Sequence, residues 1–356
     1  MKGRQVVLGQ HWGREAAALM VDGRVEDILL DLSALTPLPP GAICRAVVDR
    51  LVKGQGGVFV RLPEGERGFL RDARRLSEGQ TLIVQVSGVA DDGKAIPVTQ
   101  RVLFRGQTAI ATPGAPGVNV SRRIREESQR VRLTALGEAA LRAADAPETL
   151  GLVMRSVAAT TDDETIAEEA GALAALATQV MADNIGRPEL LVDAEQPWRA
   201  AWIDWADPAP DAIDDSENSF DLHGVGAAID SLLDPELDLP GGGFAVIEAT
   251  RALVAVDVNT GRDTTPAAAL KSNIALARDL PRQLRLRGLG GQVVIDFAPM
   301  PKRDRGTLDQ VLRAAFKADG TETTLIGWTA MGLYELNRKR DRVPLAAVAF
   351  AEDAEE

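Results

Sequence analysis

Residues 251–262, RALVAVDVNTGR, and residues 282–297, RQLRLRGLGGQVVIDF, decide how the C-terminal part of this chain folds. In the first, the two-residue period of a strand puts Val256 and Val258 on one face and Asp257 and Asn259 on the other. The second ends in QVVIDF, an apolar strand with Asp296 near its end. A helical pattern from about Pro266 to Arg287 separates the two, and strand-helix-strand predicts a parallel pair joined by a right-handed crossover. The two strand ends then meet, and with them two carboxylates and an amide. An ionised carboxylate in an apolar strand is costly to bury alone, whereas a hard divalent cation takes one or two protein carboxylates plus water and substrate phosphate. The spacing equally suits aspartates that cap loops or pair with the arginines of RQLRLR.

The rest of the sequence narrows the chemistry. The 356 residues contain one cysteine, Cys44, and two histidines, His11 and His223. That set makes neither an internal disulfide nor a closed structural zinc site, so any metal should be held by oxygen. No G-x-S-x-G elbow or H-E-x-x-H helix is present, which leaves carboxylates as the catalytic groups. No run reaches the roughly 18 apolar residues that span a bilayer, and MKGRQVVLGQHW at the start has no apolar signal core; the expectation is a cytoplasmic chain. The net charge of −12 is unevenly spread. Residues 1–150 hold 21 basic and 17 acidic side chains, 151–250 hold 3 and 21, and 251–356 hold 16 and 14. The flanks are mildly basic, and the acidic block suits either a solvated surface or a partner-binding one.

From the N-terminus, QVVLGQ and AAALMVDGRVEDILLDL read as strands, the latter a hairpin about V-D-G. After the proline-rich TPLPPG come AICRAVVDRLV, GGVFVRLP, RGFLRD, TLIVQVSGV and AIPVTQRVLF, five short strands with the rhythm of a small OB-type barrel. TPGAPGVNVSRRI reads as a loop, residues 125–144 and 162–184 as helices, and GLVMRSV as a strand. The acidic DWADPAPDAIDDSENS reads as an exposed loop. GVGAAIDSLLD looks helical, and GGGFAVIEAT is a strand closely joined to ALVAVDVNTG.

The strings RALVAVDVNTGR, RQLRLRGLGGQVVIDF and GLYELNRKR resemble the catalytic core of the ribonuclease E/G family, and the likeness runs on through residues 227–250 and into the N-terminal half. The resemblance implies a Mg2+-dependent endoribonuclease, Mn2+ being an alternative ion, that hydrolyses single-stranded RNA in processing or decay. Asp257 and Asp296 would be the metal ligands and Asn259 an accessory catalytic group. The barrel would be an S1-type RNA-binding domain, with Phe59 and Phe69 stacking on bases and Lys94 meeting the backbone; the residue pattern by itself also suits phenylalanines of a barrel core. Arg155 and Ser156, with Gly106 and Ile110 as the other wall, would form a sensor for a 5′-monophosphate, unless Arg155 simply pairs with the acidic block. Arg122 and Arg123 suit RNA contacts or structural ion pairs.

Three departures qualify that expectation. Pro299 stands where the family has an acidic residue three positions after Asp296, and Ala275 stands where a glutamate is common. Changes around metal ligands can cost about 10–100-fold in affinity or activity, and an RNA-binding protein with a decayed nuclease site is the alternative. A subunit that uses the acidic block to bind protein partners is a third reading. The sequence after NRKR also lacks the cysteines of the family's zinc link, so no zinc-linked dimer is expected. The expected fold is α/β, or α+β in several domains. A ribonuclease H-like part over 1–37 is followed by the barrel over 38–105, a sensor domain over 106–190 and a second ribonuclease H-like part over 191–232. A DNase I-like catalytic domain over 233–350 and a tail over 351–356 complete the chain.

Overall fold

The computed structural model describes residues 3–52, 56–71, 73, 75–90 and 93–351. Only Ala351 of the expected tail falls among them. The chain forms two compact units, Met1–Gly23 with Leu29–Glu217, and Arg24–Ile28 with Asn218–Glu356. This mixed α/β division is coarser than the segments expected from sequence.

In the first unit, β1 (Arg4–His11) and β2 (Arg14–Val21) pair antiparallel in unbroken register. Asp22 and Gly23 both take positive φ, 50° and 79°, before β3 (Arg24–Leu30). Val6, Ala17 and Leu19 form the inner face of this pair, packed with Ala201 and Trp205.

β4 (Ile43–Val52), β5 (Gly57–Arg61), β6 (Arg67–Leu70), β7 (Thr81–Val86) and β8 (Ile96–Thr99) follow. β4 pairs with β5 through its second half and with β7 through its first, and so closes the ring β4–β5–β6–β8–β7 into a five-stranded barrel. Val58, Val60, Leu70, Leu82, Val84 and Val98 alternate inward and fill it. Burying each of these side chains is worth about 1.5–3 kcal/mol, which makes the inward set the element that fixes register.

A third layer stacks β9 (Phe104–Arg105), β10 (Ala109–Pro113), β11 (Gly117–Val120), α1 (Glu127–Ala143), β12 (Leu150–Met154) and α2 (Asp163–Ala182) around its own core. β11 lies inside the stretch that reads as a loop. It pairs parallel with β12, a backbone interaction that the Gly- and Pro-rich sequence does not announce. Asp162 caps α2 by accepting from the Thr165 amide at 2.9 Å. β13 (Glu189–Val192) adds to β4, and the buried Arg45 beneath it donates to the carbonyl of Asp183 at 2.9 Å and pairs with Glu189 at 2.7 Å. α3 (Pro197–Asp204) and β14 (Ala212–Asp214) complete the unit. β14 pairs parallel with β1 inside the acidic stretch read as an exposed loop. That reading is corrected here: an edge strand needs only backbone partners, so low apolar content does not exclude it.

The second unit runs through α4 (Ser219–Leu222), α5 (Val225–Ser231), β15 (Glu236–Leu239), β16 (Gly243–Ala249), β17 (Val254–Asn259), α6 (Pro266–Leu286), β18 (Gly291–Asp296), α7 (Arg305–Ala318), β19 (Thr323–Trp328), β20 (Tyr334–Arg338) and α8 (Leu345–Ala349). Its six-stranded sheet has the order β15-β16-β17-β18-β20-β19. α6 starts at a Thr265 cap with Pro266 in its first turn, where a missing N–H costs nothing. Its buried stripe, Ala269, Asn273, Leu276, Ala277, Leu280 and Leu284, follows the helical period. These side chains cover one face of the sheet together with Leu308, Leu312 and Phe316 of α7. The other face carries Asp257, Asn259 and Asp296 beside half-buried Phe244, Val246 and Val294.

Candidate functional site

β17 buries Val254, Val256 and Val258 and turns Asp257 and Asn259 to the opposite face. α6 then returns the chain so that β18 lies parallel beside β17, with Asp257 and Asp296 as direct register partners. In-register residues of neighbouring strands point to the same face about 4.8 Å apart. Both aspartates are exposed. Asn259 donates from Nδ2 to Oδ2 of Asp257 at 2.9 Å, holding that carboxylate in one orientation. Among the described residues neither aspartate has a basic partner.

The arginines of RQLRLR are committed elsewhere. Arg282 donates to the Val25 carbonyl at 2.8 Å and pairs with Asp279 at 3.2 Å. Arg285 pairs with Glu26 at 2.6 Å and with Asp319. Arg287 donates to the carbonyls of Leu232 and Asp234 at 2.7 and 2.5 Å. Two like charges side by side, with no cation beside them among the described residues, form a donor set that suits a hard divalent ion. Among the described residues no three His, Cys, Asp or Glu side chains gather in one place. Two carboxylates could hold such an ion with water and phosphate completing its coordination.

The neighbourhood of the pair contains two residues that the motifs do not single out. Asn273 of α6 is fully buried, and its amide clamps Ala298 on both sides, donating to the carbonyl at 2.9 Å and accepting from the N–H at 3.0 Å. The segment leaving Asp296 is thereby fixed two residues downstream. Phe244 of β16 is the register partner of Asn259 and, half-buried, shares the face of the acid pair. Pro299 is exposed and Ala275 packs against the core, so neither offers a further ligand.

On the barrel, Phe59 and Phe69 face outward, away from the inward valines and Leu70. They pair across β5 and β6 with ring centroids 5.3 Å apart, and Pro97 of β8 extends the row. The Phe69 ring lies over Gly57, where a Cβ would come within 2.5 Å of Cζ, so only glycine leaves the ring its seat. Arg50 sits 4.9 Å and Arg67 5.7 Å from the Phe59 ring centre. Lys94 is exposed in the turn ahead of β8. Two outward rings tilted 55° to each other and bordered by cations can each stack a base and hold a phosphate backbone.

Around Arg155 the arrangement differs from an open cradle. Nη1 of Arg155 donates to the carbonyls of Gly106 and Ile203 at 2.6 and 2.8 Å. Ser156 donates its hydroxyl to Asp207, and Arg123 pairs with the same Asp207 oxygen at 2.7 Å. On the opposite wall, Glu169 accepts the amides of Gln107 and Thr108 at 2.7 and 2.6 Å. Its carboxylate presses so closely on Gly106 that a Cβ there would lie 2.6 Å from Oε1. Ile110 is half-buried on β10, paired with Val153 and Arg105. The Ser156 hydroxyl, with help from Arg123 and Arg155, holds the Asp207 carboxyl below its usual range. Burial pushes the Arg155 guanidinium down. Asp207 and Glu169 carry no sequence motif, and their partners lie 51 and about 60 residues away, so only the tertiary structure reveals them. Arg122 is exposed.

The chain matches the sequence model of the Ribonuclease E/G family over residues 104–214 and 211–341, and it belongs to that family. Ribonuclease E of Nostoc sp. is 28% identical across 95% of this chain and 56% of its own length. Ribonuclease G of Salmonella typhimurium is 29% identical across 85% of this chain and 73% of its own length. Ribonuclease E of Synechocystis sp. is 26% identical, covering 95% and 57%. The chain thus spans little more than half of the two ribonuclease E relatives. No helix among the described residues is long and apolar enough to cross a membrane.

Proposed function

We propose that this chain is a divalent-metal-dependent endoribonuclease that hydrolyses single-stranded RNA in RNA processing or decay. The observation that carries the reading is the in-register pair Asp257 and Asp296 on neighbouring parallel strands, exposed and without a cationic partner among the described residues. Relatives named ribonuclease E and ribonuclease G, similar over most of this chain, support it. In this reading Asp257 and Asp296 hold Mg2+, or Mn2+ in its place, and the six-stranded sheet with its helices is the DNase I-like catalytic domain. A divalent ion there would supply Lewis acidity and charge neutralisation for phosphodiester hydrolysis.

The side chains do the rest. Asn259 fixes the rotamer of Asp257 by its amide bond, and Asn273 fixes the backbone that follows Asp296. The open face of the sheet gives the RNA backbone room beside the acid pair, with Phe244 next to it as a surface for a base. Phe59, Phe69 and Lys94 of the barrel bind the strand by stacking and charge, which tolerates any sequence. Arg155, Ser156, Gly106 and Ile110 remain the candidate 5′-end pocket.

An exposed acid pair with its orienting amide intact favours an active enzyme over an RNA-binding protein with a decayed site. Incubation of an A/U-rich single-stranded RNA with the purified chain, with Mg2+ or EDTA, separates the two. Internal cuts that require Mg2+ and disappear in Asp257→Asn and Asp296→Asn support the nuclease. Salt-sensitive binding with no cutting under any condition overturns it in favour of the decayed site.

A further inference from the structure

We propose that Arg305, laid on the Trp328 ring at the end of the sheet where Asp296 lies, is an RNA-binding residue that takes a backbone phosphate of the strand, with Lys302 and Arg303 beside it. The proposal deepens the nuclease reading and rests on it for RNA as the ligand; its geometry belongs to the second unit alone. Asp296 ends β18, and the chain runs on through PKRDR, residues 301–305, into α7. Ile295 pairs with Tyr334, and Tyr334 with Trp328, which sets Trp328 two strands from β18 and level with its end. Two strand spacings amount to about 10 Å, a distance that a strand covers within a few nucleotides. The acid pair is on the open face and Trp328 packs against the helix-covered core, so a strand that serves both crosses the end of the sheet.

Arg305 is seated firmly but left without a counter-charge. Its guanidinium carbon is 4.2 Å from the Trp328 ring centre. The indole is itself fixed: Nε1 donates to Asp309 at 2.9 Å, and the Phe297 and Tyr334 rings lie 5.7 and 5.3 Å from it, centre to centre. Gly332, at φ 93°, keeps the neighbouring turn clear of Arg305, since a Cβ there would stand 3.4 Å from Nη2. Nε of Arg305 is buried with no hydrogen-bond partner, and no acidic side chain pairs with Arg305 among the described residues. Other half-buried arginines of this unit do have one: Arg282 has Asp279, Arg285 has Glu26 and Arg342 has Asp27. Of the acids close by, Asp309 is committed to the indole and Asp304 stands 3.8 Å from Arg303. A partly desolvated guanidinium with a fixed plane offers a rigid fork of donors that matches the oxygens of a phosphate. Lys302 and Arg303 are exposed on the turn that leads to it, and three cations in four residues suit the repeated charge of a nucleic-acid backbone better than a single partner carboxylate.

The test measures binding rather than cleavage. Fluorescence anisotropy in EDTA follows a short A/U-rich oligoribonucleotide bound by the full chain between about 50 and 200 mM salt. Arg305→Gln should weaken binding about tenfold at the low end, and should reduce the slope of log affinity against log salt by about 0.7, the share of one phosphate contact on a single strand. Lys317→Gln, the same charge change in the last turn of α7, should leave both unchanged. Oligoribonucleotides with one neutral methylphosphonate link, moved along the strand, then locate the contact: one position should cost wild type about tenfold and cost Arg305→Gln nothing further. Should Arg305→Gln fail to fold, Lys302→Gln/Arg303→Gln carries the test, because both positions are exposed; a reduced slope supports the proposal and an unchanged slope overturns it. A folded Arg305→Gln with the wild-type slope, or a methylphosphonate profile identical to that of wild type, overturns the phosphate contact and leaves the nuclease reading standing. A wild type that binds no RNA overturns both.

Discussion

Replacing Asn273 by leucine tests whether the acid pair depends on a clamp set in the core beneath it. Asn273 is fully buried, and its amide satisfies both backbone groups of Ala298, itself 2% exposed, at 2.9 and 3.0 Å. Leucine fills nearly the same volume but offers neither donor nor acceptor. The N–H and C=O of Ala298 are then left buried and unpaired at about 1–3 kcal/mol each, and the gain from burying an apolar side chain offsets only part of this. A net loss of at least about 2 kcal/mol is expected, corresponding to roughly 30-fold faster opening at 1.4 kcal/mol per factor of ten. Hydrogen exchange resolved by mass spectrometry reads this directly at the peptide containing Ala298. Because that residue lies two positions beyond Asp296, metal affinity should fall along with protection, whereas Asn273→Asp, which keeps the accepting oxygen, should retain part of both. Unchanged exchange at Ala298 in Asn273→Leu would refute the reasoning, because the clamp would then not be what orders the segment.

Asp319→Ala should destabilise the second unit by about 3–5 kcal/mol, since it strands the buried Arg338 and removes a partner of Arg285; a urea transition shifted by less than 1 kcal/mol would contradict the pairing. Phe59→Ala should weaken binding of single-stranded RNA by about 1–3 kcal/mol with little change in thermal midpoint, because the ring lies outside the barrel core. A large loss of stability with unchanged RNA affinity would return Phe59 to a structural role. Cys44 is fully buried, and burial pushes its thiol from 9.0 up to about 12. It should resist alkylation in the native chain at pH 8, where the thiolate fraction is on the order of 10⁻⁴, and react on unfolding. Below pH 9 both states keep the proton; between 9 and about 12 the unfolded chain loses it first, so stability should decline across that window, and should do so less in Cys44→Ala.

The second unit was legible where local period and chain direction suffice. Alternation in residues 254–259, the helical stripe of residues 269–284 and a single crossover are enough to place Asp257 beside Asp296, because each step follows from spacing. The barrel was legible for the same reason, but whether Phe59 and Phe69 point in or out was not, since both faces of β5 and β6 are largely apolar or glycine. Phase came from closure: once Val58, Val60 and Leu70 turn inward, the aromatics must turn outward. The edge strands β11 and β14 escaped because backbone pairing leaves little trace in Gly-, Pro- and Asp-rich sequence. The Arg155 site was legible as a set of residue types and not as a state. Whether its donors stand open or are already engaged depends on Asp207 and Glu169, which reach them from remote parts of the chain.

The most direct test of the central claim is a titration of Mn2+ into the chain, followed by its electron paramagnetic resonance signal in parallel with RNA cleavage. A pair of carboxylates sharing one ion predicts a single site whose occupancy tracks cleavage, and whose affinity collapses in Asp257→Asn and in Asp296→Asn alike. Mn2+ bound equally well by both variants, or cleavage that proceeds with the site empty, would contradict it.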